Sequence, residues 1–411
     1  MLRVLSLSPS SSYRFASRRL LCAHAWGNAD LGQLGLPSAQ LVEEAETIGR
    51  TAPRPQSIPA LQQARLRTAS ASSAHSAFVT DGGELLTCGY GADGQLGHSN
   101  FEDKHTPRIV INLPQVQAVA CGNRHTLTLS LDGRVFSFGS NRFGQLGLSH
   151  LSSITRRVNS PEEVKLLSSI DCPITSISAG DDFSVAVDEQ GKVYTWGSSA
   201  NGRLGHPDAV VQPSVIAFLL ARSREAQHSP RLIPGLKHVK VNHVDCGKHL
   251  ATAVCNGGRT YTWGSGRHFQ ISTTRADDEY EPVQPTHGLS IRKVAHGASH
   301  TLMLTDGGTV FALGENERGC LGIGNTASSR VVVEPIRIPG LAGVTDVAAG
   351  WRLSAAVVGS GPDARVFMWG CGEAGALGTG EAVDHWEPFD IGLRARKIFI
   401  GCDGTSVFAL S

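Results

Sequence analysis

The sequence of 411 residues lacks the features that would place it in several common functional classes. It has almost no net charge, because 37 lysines and arginines oppose 36 aspartates and glutamates, so no overall field attracts nucleic acid or an anionic membrane. Its longest apolar stretch, near 214–221, is far shorter than a membrane-spanning helix. Its nine cysteines form no C-x-x-C pair, which argues against a disulfide framework and a zinc ribbon. We therefore expect no nucleic-acid binding, no membrane span, no metal site and a reducing compartment.

Glycine, in contrast, is abundant, with 47 residues. In "CGYGADGQLG" (88–97), Gly89, Gly91 and Gly94 have the G-x-G-x-x-G spacing of a dinucleotide-binding turn. Such a site requires a helix after the last glycine, whereas "QLGHSNFEDKHTP" has no helical periodicity and soon reaches Pro107. We interpret these glycines as turn residues and expect no cofactor.

The glycines belong to an internal repeat. "LLTCGYGADGQLGH" (85–98) is followed by "VFSFGSNRFGQLGL" (135–148), "VYTWGSSANGRLGH" (193–206), "VFALGENERGCLGI" (310–323) and "VFMWGCGEAGALGT" (366–379). An N-terminal copy, "CAHAWGNADLGQLGL" (22–36), and a weaker copy, "TYTWGSGRHFQIST" (260–273), bring the number to seven. Repeats of this length indicate an array of supersecondary units. The structural glycine of each copy is Gly27, Gly89, Gly139, Gly197, Gly264, Gly314 and Gly370.

Each copy is preceded by short β-prone runs, as in "VQAVACGNRHTLTLSLDGRVFSFG" (116–139), where Asp132-Gly133 is a hairpin signal. Four short strands cannot bury both faces alone, but a radial array of such sheets can. The chain begins with the second half of a repeat and ends with the first half, "ARKIFIGCDGTSVFALS" (395–411). The predicted fold is an all-β, seven-bladed β-propeller of four-stranded antiparallel blades, closed by pairing of the N- and C-terminal half-repeats. We expect it to be a monomeric ring.

Histidines recur at one position of the repeat, after the first strand. His75, His125 and His300 occupy it, but Phe183 and Leu250 stand at the equivalent position elsewhere. A position that accepts His, Phe or Leu is typical of packing rather than of metal coordination. The tryptophans that precede four structural glycines are predicted to be core residues.

These repeats resemble those of the regulator of chromosome condensation family. The resemblance extends from about residue 20 to residue 411 and rests on the "W-G-x-x-x-x-G-Q-L-G" units with their upstream "C/A-G-x-x-H-x-x-x-L" halves. Within the family, the chain is most similar to secretion-regulating guanine nucleotide exchange factor-like proteins and to mitochondrial members. The resemblance implies a seven-bladed propeller and a guanine nucleotide exchange factor, or another binding partner of a small GTPase, without covalent catalysis. The alternative is a scaffold or assembly factor without exchange activity, for example a mitochondrial or ribosome-associated one.

The resemblance also implies a partner-binding surface in the loops that follow the first strand of each repeat. The matching positions are Asn123, Arg124, Asp181, Asp182, Lys248, His249, His300, Trp351 and Arg352. Asp181 and Asp182 match the acidic character of the family most directly, whereas Lys248 and Trp351 depart from it and leave the identity of the partner open. Solvated loop residues without a partner are the other interpretation.

The sequence divides into a terminal segment and one domain. Residues 1–19 contain four arginines, several serines and no acidic residue, which is the composition of a mitochondrial transit peptide, although a flexible arm is the alternative. Residues 20–411 are predicted to form the propeller, with insertions at about 36–69 and 207–240. We expect mitochondrial localisation, with a cytoplasmic or nuclear location as the alternative.

Overall fold

The computed structural model describes residues 23–44, 49–149, 155–207, 226–268, 277–285, 288–325, 330–401 and 404–411. The candidate transit peptide at 1–19 lies outside the described residues, as do residues 208–225 of the second predicted insertion. The described residues form 29 strands in seven antiparallel sheets, which we number as blades 1 to 7.

Blades 2 to 7 are each built from four consecutive strands, which follow one another from the inner to the outer edge of the blade. Blade 2 contains β4 (Leu66–Ala71), β5 (His75–Thr80), β6 (Leu85–Gly89) and β7 (Lys104–Ile109). Blade 3 contains β8 (Val116–Cys121), β9 (His125–Ser130), β10 (Val135–Ser140) and β11 (Arg157–Glu163). Blade 4 contains β12 (Ile174–Ala179), β13 (Phe183–Asp188), β14 (Val193–Ser198) and β15 (Ala226–Leu232). Blade 5 contains β16 (Val241–Cys246), β17 (Leu250–Cys255), β18 (Thr260–Gly264) and β19 (Glu279–Val283). Blade 6 contains β20 (Ile291–His296), β21 (His300–Thr305), β22 (Val310–Glu315) and β23 (Val331–Arg337). Blade 7 contains β24 (Val344–Ala349), β25 (Leu353–Val358), β26 (Arg365–Gly370) and β27 (His385–Arg394).

Blade 1 joins the two ends of the described chain. From the inner edge outward it contains β28 (Lys397–Ile400), β29 (Ser406–Leu410), β1 (Ala23–Asn28), β3 (Gly49–Ser57) and β2 (Val42–Glu44). Strands β1 and β29 pair from Ala23↔Leu410 to Gly27↔Ser406. The inner strands contact one another in order around the ring, and β28 contacts β4. The predicted propeller and its closure by terminal half-repeats are therefore confirmed.

The first predicted insertion is not a loop throughout. Within 36–69, Gly49–Ser57 pairs with β1, and β4 begins at Leu66. These residues belong to blades 1 and 2. The only α-helix among the described residues is α1 (Lys165–Ser168), which connects blades 3 and 4.

The tryptophans predicted to be core residues connect neighbouring blades. Trp26, Trp196, Trp263 and Trp369 are fully buried. The Trp196 Nε1 donates to the Gln145 carbonyl of the preceding blade at 2.9 Å, and Trp369 Nε1 donates to the Cys320 carbonyl at 2.9 Å. A Cβ on Gly147 would lie 2.8 Å from the Trp196 ring nitrogen, which explains the last glycine of the "Q-L-G" motif.

Inner strands from all seven blades surround an axial cavity of about 170 Å³. Lys293 Nζ contacts Asp346 Oδ1 at 2.6 Å, and Asp346 Oδ2 accepts the backbone N–H of Ile398 at 3.1 Å. Burial raises the pKa of Asp245 in the same cavity to about 7, although the Lys293 charge and the His296 backbone N–H act in the opposite direction. Charged side chains of blades 5, 6 and 7 therefore interact at the axis, and Asp346 also binds the backbone of blade 1.

Candidate partner-binding face

Two sets of loops leave the ring on the same side, because successive antiparallel strands reverse direction. The inner loops follow the first strand of each blade, and the outer loops follow the third strand. We call this side the upper face; hairpins and inter-blade connections form the lower face. Every predicted partner-binding position lies in an inner loop or at its end, so the upper face brings these positions to one side of the ring. The second predicted insertion, 207–240, contains β15; the described residues on either side of 208–225, which follow β14 and begin β15, also lie on this face.

Backbone hydrogen bonds connect the inner loops of neighbouring blades. The N–H of Asn123 donates to the carbonyl of Asp181 at 3.3 Å, and the N–H of Asp181 donates to the carbonyl of Lys248 at 3.2 Å. In the same way, Trp351 N–H donates to the Gly404 carbonyl at 3.0 Å. The loops are therefore cross-linked around the axis, and the backbone of the upper face is held in place before any partner arrives.

The repeated histidines are part of the core. His75 and His125 have no exposed surface, and each Nε2 pairs with a hydroxyl of the next blade, Thr126 at 2.8 Å and Ser184 at 2.9 Å. Burial lowers the pKa of each histidine to about 3, so both are neutral at pH 7. Within the described residues, no group of three or more His, Cys, Asp or Glu side chains is arranged to hold a metal ion.

His300 follows the same arrangement and requires a correction. It has no exposed surface, its Nε2 pairs with Ser354 Oγ at 2.7 Å, and burial lowers its pKa to about 4. The prediction that this side chain contacts a partner is therefore wrong for the intact ring. The repeat carried a signal for this burial, because Phe183 and Leu250 stand at the equivalent position, but the hydroxyl that pairs with the imidazole belongs to blade 7 and is not apparent from the motif.

The adjacent aspartates form part of a largely buried charge cluster. Asp181 is 6% exposed and Arg203, from an outer loop, is 5% exposed. Asp182 is half-buried, and its Oδ1 accepts a hydrogen bond from Gln145 Nε2 at 3.3 Å. Burial raises the pKa of Asp182, while the charges of Arg203, Arg124 and Arg142 favour its ionised form. Asp182 is thus a partly exposed carboxylate in a fixed position, whereas Asp181 is mainly a structural residue.

Beside this cluster lies a basic groove between blades 2 and 3. Arg124 is exposed and contacts Asp93 at 3.5 Å. The groove is lined by Asp93, Phe101, Arg142, Thr155, Arg156 and Arg157. The Arg157 guanidinium lies 4.7 Å from the centre of the exposed Phe101 ring.

The remaining predicted residues meet in a pocket of about 400 Å³ across blades 4 to 7, which we call the Trp351 pocket. Inner loops contribute Lys248, His249, Ala298, Ser299, Trp351 and Arg352, outer loops contribute Asn201, Ser265, Arg267, His268 and Glu317, and the end of β22 contributes Glu315. The Arg352 guanidinium lies 4.4 Å from the centre of the Trp351 ring and forms an ion pair with Glu317. The structure therefore assembles Lys248, His249, Trp351 and Arg352 in one pocket, whereas Asn123, Arg124, Asp181 and Asp182 do not line it.

The outer-loop residues were missed by sequence reasoning, because the "G-Q-L-G" loops were interpreted only as turns. One signal was available: Arg203 stands in "GRLG" where Gln95 and Gln145 stand in "GQLG". When one copy of the repeat has a charged residue where the other copies have neutral ones, an opposite charge is expected close to it in the fold. The structure also places no helix between β6 and β7, where the dinucleotide motif would need one.

Comparison with known proteins supports the architecture. The family model described as RCC1-like domain matches residues 22–409. The chain is 29% identical over 412 residues to the secretion-regulating guanine nucleotide exchange factor of Bos taurus, covering 94% of this chain and 82% of the relative. It is 30% identical over 378 residues to the regulator of chromosome condensation of Xenopus laevis, covering 88% and 82%. It is 29% identical over 389 residues to the ultraviolet-B receptor UVR8 of Arabidopsis thaliana, covering 93% and 80%.

Solved structures match the fold over nearly the whole chain. Human WBSCR16 superposes with a TM-score of 0.80 at 23% identity, covering 96% of this chain and 99% of that chain. Yeast RCC1 (Prp20), solved with Kap60, superposes with a TM-score of 0.77 at 21% identity, covering 100% and 95%. No helix in the described part of this chain is long and apolar enough to span a membrane.

Proposed function

This chain belongs to the RCC1-like domain family, and we propose that it binds a small GTPase on its upper face and promotes exchange of its guanine nucleotide. The observation that carries the proposal is the upper face itself, where polar and charged side chains from several blades are fixed on one cross-linked rim. The relative named as a guanine nucleotide exchange factor, aligned over most of both chains, supports the same activity.

Such an activity needs no covalent chemistry. A protein that binds the nucleotide-free GTPase more tightly than the nucleotide-loaded form shifts the population towards release. A ten-thousand-fold difference in affinity, about 5.5 kcal/mol, is enough to convert a 1:99 equilibrium to 99:1. A face whose loops are already bonded to one another loses little conformational entropy when a partner binds, and this favours a rigid ring as the binding surface.

The side chains of the upper face suit such a partner. Asp182 offers a carboxylate held by Gln145, and Arg124 offers an exposed cation close to it. Electrostatic complementarity of this kind contributes mainly to specificity and to the rate of association.

The test is capture of partners on the immobilised full chain from lysate of cells that express it, with and without EDTA. Since EDTA removes Mg²⁺ and empties small GTPases of nucleotide, we expect a GTPase to be enriched at least tenfold after depletion. The purified GTPase, loaded with fluorescent GDP, should then release it at least tenfold faster when the chain is added.

A stable complex that does not depend on nucleotide, with no effect on GDP release, would contradict exchange activity and support the scaffold function. A capture experiment that enriches no GTPase would contradict both the proposed binding and the proposed exchange activity. A small-molecule enzyme activity has no support from the described residues.

A further inference from the structure

The basic groove between blades 2 and 3 contains three arginines that have no carboxylate partner among the described residues. Arg142 and Arg156 are exposed, and neither side chain forms an ion pair or a hydrogen bond there. Arg157 is oriented without an acid, because its Nη1 donates to the Ala92 carbonyl at 2.8 Å and its guanidinium lies over the ring of Phe101. All three guanidinium groups therefore line the groove with N–H donors that a ligand can use.

The carboxylates close to the groove do not balance these charges. Asp93, which lines the groove, contacts Arg124 at 3.5 Å. Arg203 and Arg124 oppose the rise in the pKa of Asp182 more strongly than Arg142 does. Together with Arg124, the three arginines of the groove outnumber these two aspartates, so positive charge remains in excess.

The acidic residues that follow Phe101 in the same loop of blade 2 have partners of their own. Glu102 Oε2 accepts a hydrogen bond from Lys104 Nζ at 2.7 Å, and Asp103 Oδ1 accepts one from the Gly91 N–H at 2.8 Å. Neither acidic residue lines the groove. These two carboxylates therefore do not pair with the arginines of the groove.

An exposed aromatic ring forms part of the groove wall. Phe101 is 43% exposed, and the Arg157 guanidinium lies 4.7 Å from the centre of its ring. Contact with an apolar side chain would remove this ring from water, which is favourable. Arginines and aromatic residues are also among those that contribute most to the binding energy of protein interfaces. The groove thus combines positive charge with an apolar contact.

These features favour an acidic peptide segment over a polyanion. The groove has a volume of about 700 Å³, which is within the roughly 300–1,000 Å³ of ligand-binding clefts. Guanidinium groups bind carboxylates through paired hydrogen bonds. A nucleic acid fits less well, because its closely spaced phosphates would also pass Asp93 and Asp182. The net charge of +1 also provides no long-range attraction for it.

We propose that the basic groove binds a short acidic segment of a protein partner. Carboxylates of this segment pair with Arg142, Arg156 and Arg157. An apolar side chain between the carboxylates packs on Phe101. The inference rests on the proposed function only in placing the partner on the upper face, where the groove lies, and it does not require that partner to be a GTPase.

The test titrates the full chain with acetyl-Glu-Glu-Phe-Glu-Glu-amide, the glutamate peptide, in a calorimeter. We expect saturable binding that weakens as salt is added, because ions screen exposed charge pairs. Acetyl-Gln-Gln-Phe-Gln-Gln-amide, the glutamine peptide, has the same shape without the charges and should bind at least tenfold more weakly. Acetyl-Glu-Glu-Gly-Glu-Glu-amide, the glycine peptide, lacks the ring that packs on Phe101 and should bind severalfold more weakly. Inorganic phosphate and a short oligothymidine should both bind more weakly than the glutamate peptide.

Variants locate the binding. Arg142→Gln with Arg156→Gln should weaken the glutamate peptide at least tenfold. Arg259→Gln with Arg337→Gln, which changes two exposed arginines on the lower face, should leave its binding unchanged. All four side chains are exposed, so both double variants should melt close to the unmodified chain. Phe101→Ala should weaken the glutamate peptide severalfold and leave the glycine peptide nearly unchanged.

Any of four results would overturn the inference: no saturable binding of the glutamate peptide, equal binding of the glutamate and glutamine peptides, tighter binding of phosphate or oligothymidine, or full binding by the folded variant that lacks Arg142 and Arg156. The peptide titration contains no GTPase. Peptide binding without GTPase capture would therefore contradict only the proposed function, and capture without peptide binding would contradict only the inference about the groove.

Discussion

The structural glycines of the repeat allow the third strand of each blade to pass close to the second. Their φ angles lie between +98° and +113°, a region that residues with a side chain rarely adopt. A Cβ at any of these seven positions would lie 2.0–2.5 Å from the backbone carbonyl oxygen of the residue directly before the second strand. The motif is therefore fixed by backbone geometry, and nucleotide chemistry is not needed to explain it.

This geometry predicts different outcomes for two glycines of blade 5. Gly264→Ala should reduce the free energy of unfolding by at least ~3 kcal/mol, because strain at φ +107° adds to a contact of 2.5 Å with the His249 carbonyl. Gly257→Ala should cost only the ~1–2 kcal/mol of a left-handed alanine, since nothing lies within 4 Å of its added Cβ. Urea unfolding of both variants measures the difference, and equal midpoints would contradict this account of the motif.

Burial could be predicted where residues of one kind recur at the same position of several copies. The tryptophans before the structural glycines show this, and so does the position of His300, where Phe183 and Leu250 stand in other copies. Asp181 follows no such pattern, because its burial beside Arg203 depends on a loop from elsewhere in the fold. The sequence therefore predicted that these residues share the inner loops, but not the exposure of each side chain.

At the scale of elements, histidines connect the second strands of neighbouring blades. His75 reaches from β5 to β9, His125 from β9 to β13, and His300 from β21 to β25. His296 makes a different connection, from the first strand of blade 6 to the second strand of blade 5: its Nε2 pairs with Thr252 Oγ1 at 3.0 Å. Burial lowers the pKa of all four to about 3–4, so these contacts are made by neutral rings.

Stability should consequently fall as the pH is lowered. Between pH 6.5 and 4 the unfolded chain binds protons at these histidines and the folded chain does not, which costs up to about 1.4 kcal/mol per pH unit for each ring. Asp245 acts in the opposite direction, because its folded pKa of about 7 lets the folded state keep a proton that the unfolded state has lost. Four histidines outweigh one aspartate, so we expect a net loss on the order of 3 kcal/mol from pH 7 to 5.5.

Urea unfolding across that range checks this expectation. His125→Gln, which keeps a neutral hydrogen-bonding side chain, should reduce the pH dependence by about one proton while leaving the other histidines as they are. A chain that is equally stable at both pH values, or a variant with an unchanged slope, would show that the histidines do not act as neutral connectors between blades.

Local turn signals predicted most strands well, since Asp132-Gly133 or an equivalent pair occurs in five of the seven repeats. They did not reveal β2, which is three residues long, or α1, which is four residues long. Segments this short carry too few residues for a periodic pattern, and β2 forms by pairing with β3 rather than from a signal of its own.

At the scale of the whole molecule, closure followed directly from the half-repeats at the two ends, because they complete one blade. The alternating direction of the strands also predicted that the inner loops of all blades lie on the upper face. The Trp351 pocket could not be predicted in the same way, because it needs the relative positions of loops from four blades and side chains such as Arg267 and Glu317 that vary between copies.

The central claim is that the upper face is where the GTPase binds. The most direct measurement is EDTA-dependent GTPase capture by two matched double variants, each reversing two charges. Arg124→Glu with Lys248→Glu changes the upper face, and Lys237→Glu with Lys240→Glu changes the lower face. All four positions are exposed or half-buried, so both variants should melt close to the unmodified chain.

We predict that the lower-face variant captures the GTPase as the unmodified chain does, whereas the upper-face variant loses at least nine-tenths of the capture. Undiminished capture by a folded upper-face variant, or loss of capture by the lower-face variant alone, would contradict the claim and place the interface elsewhere.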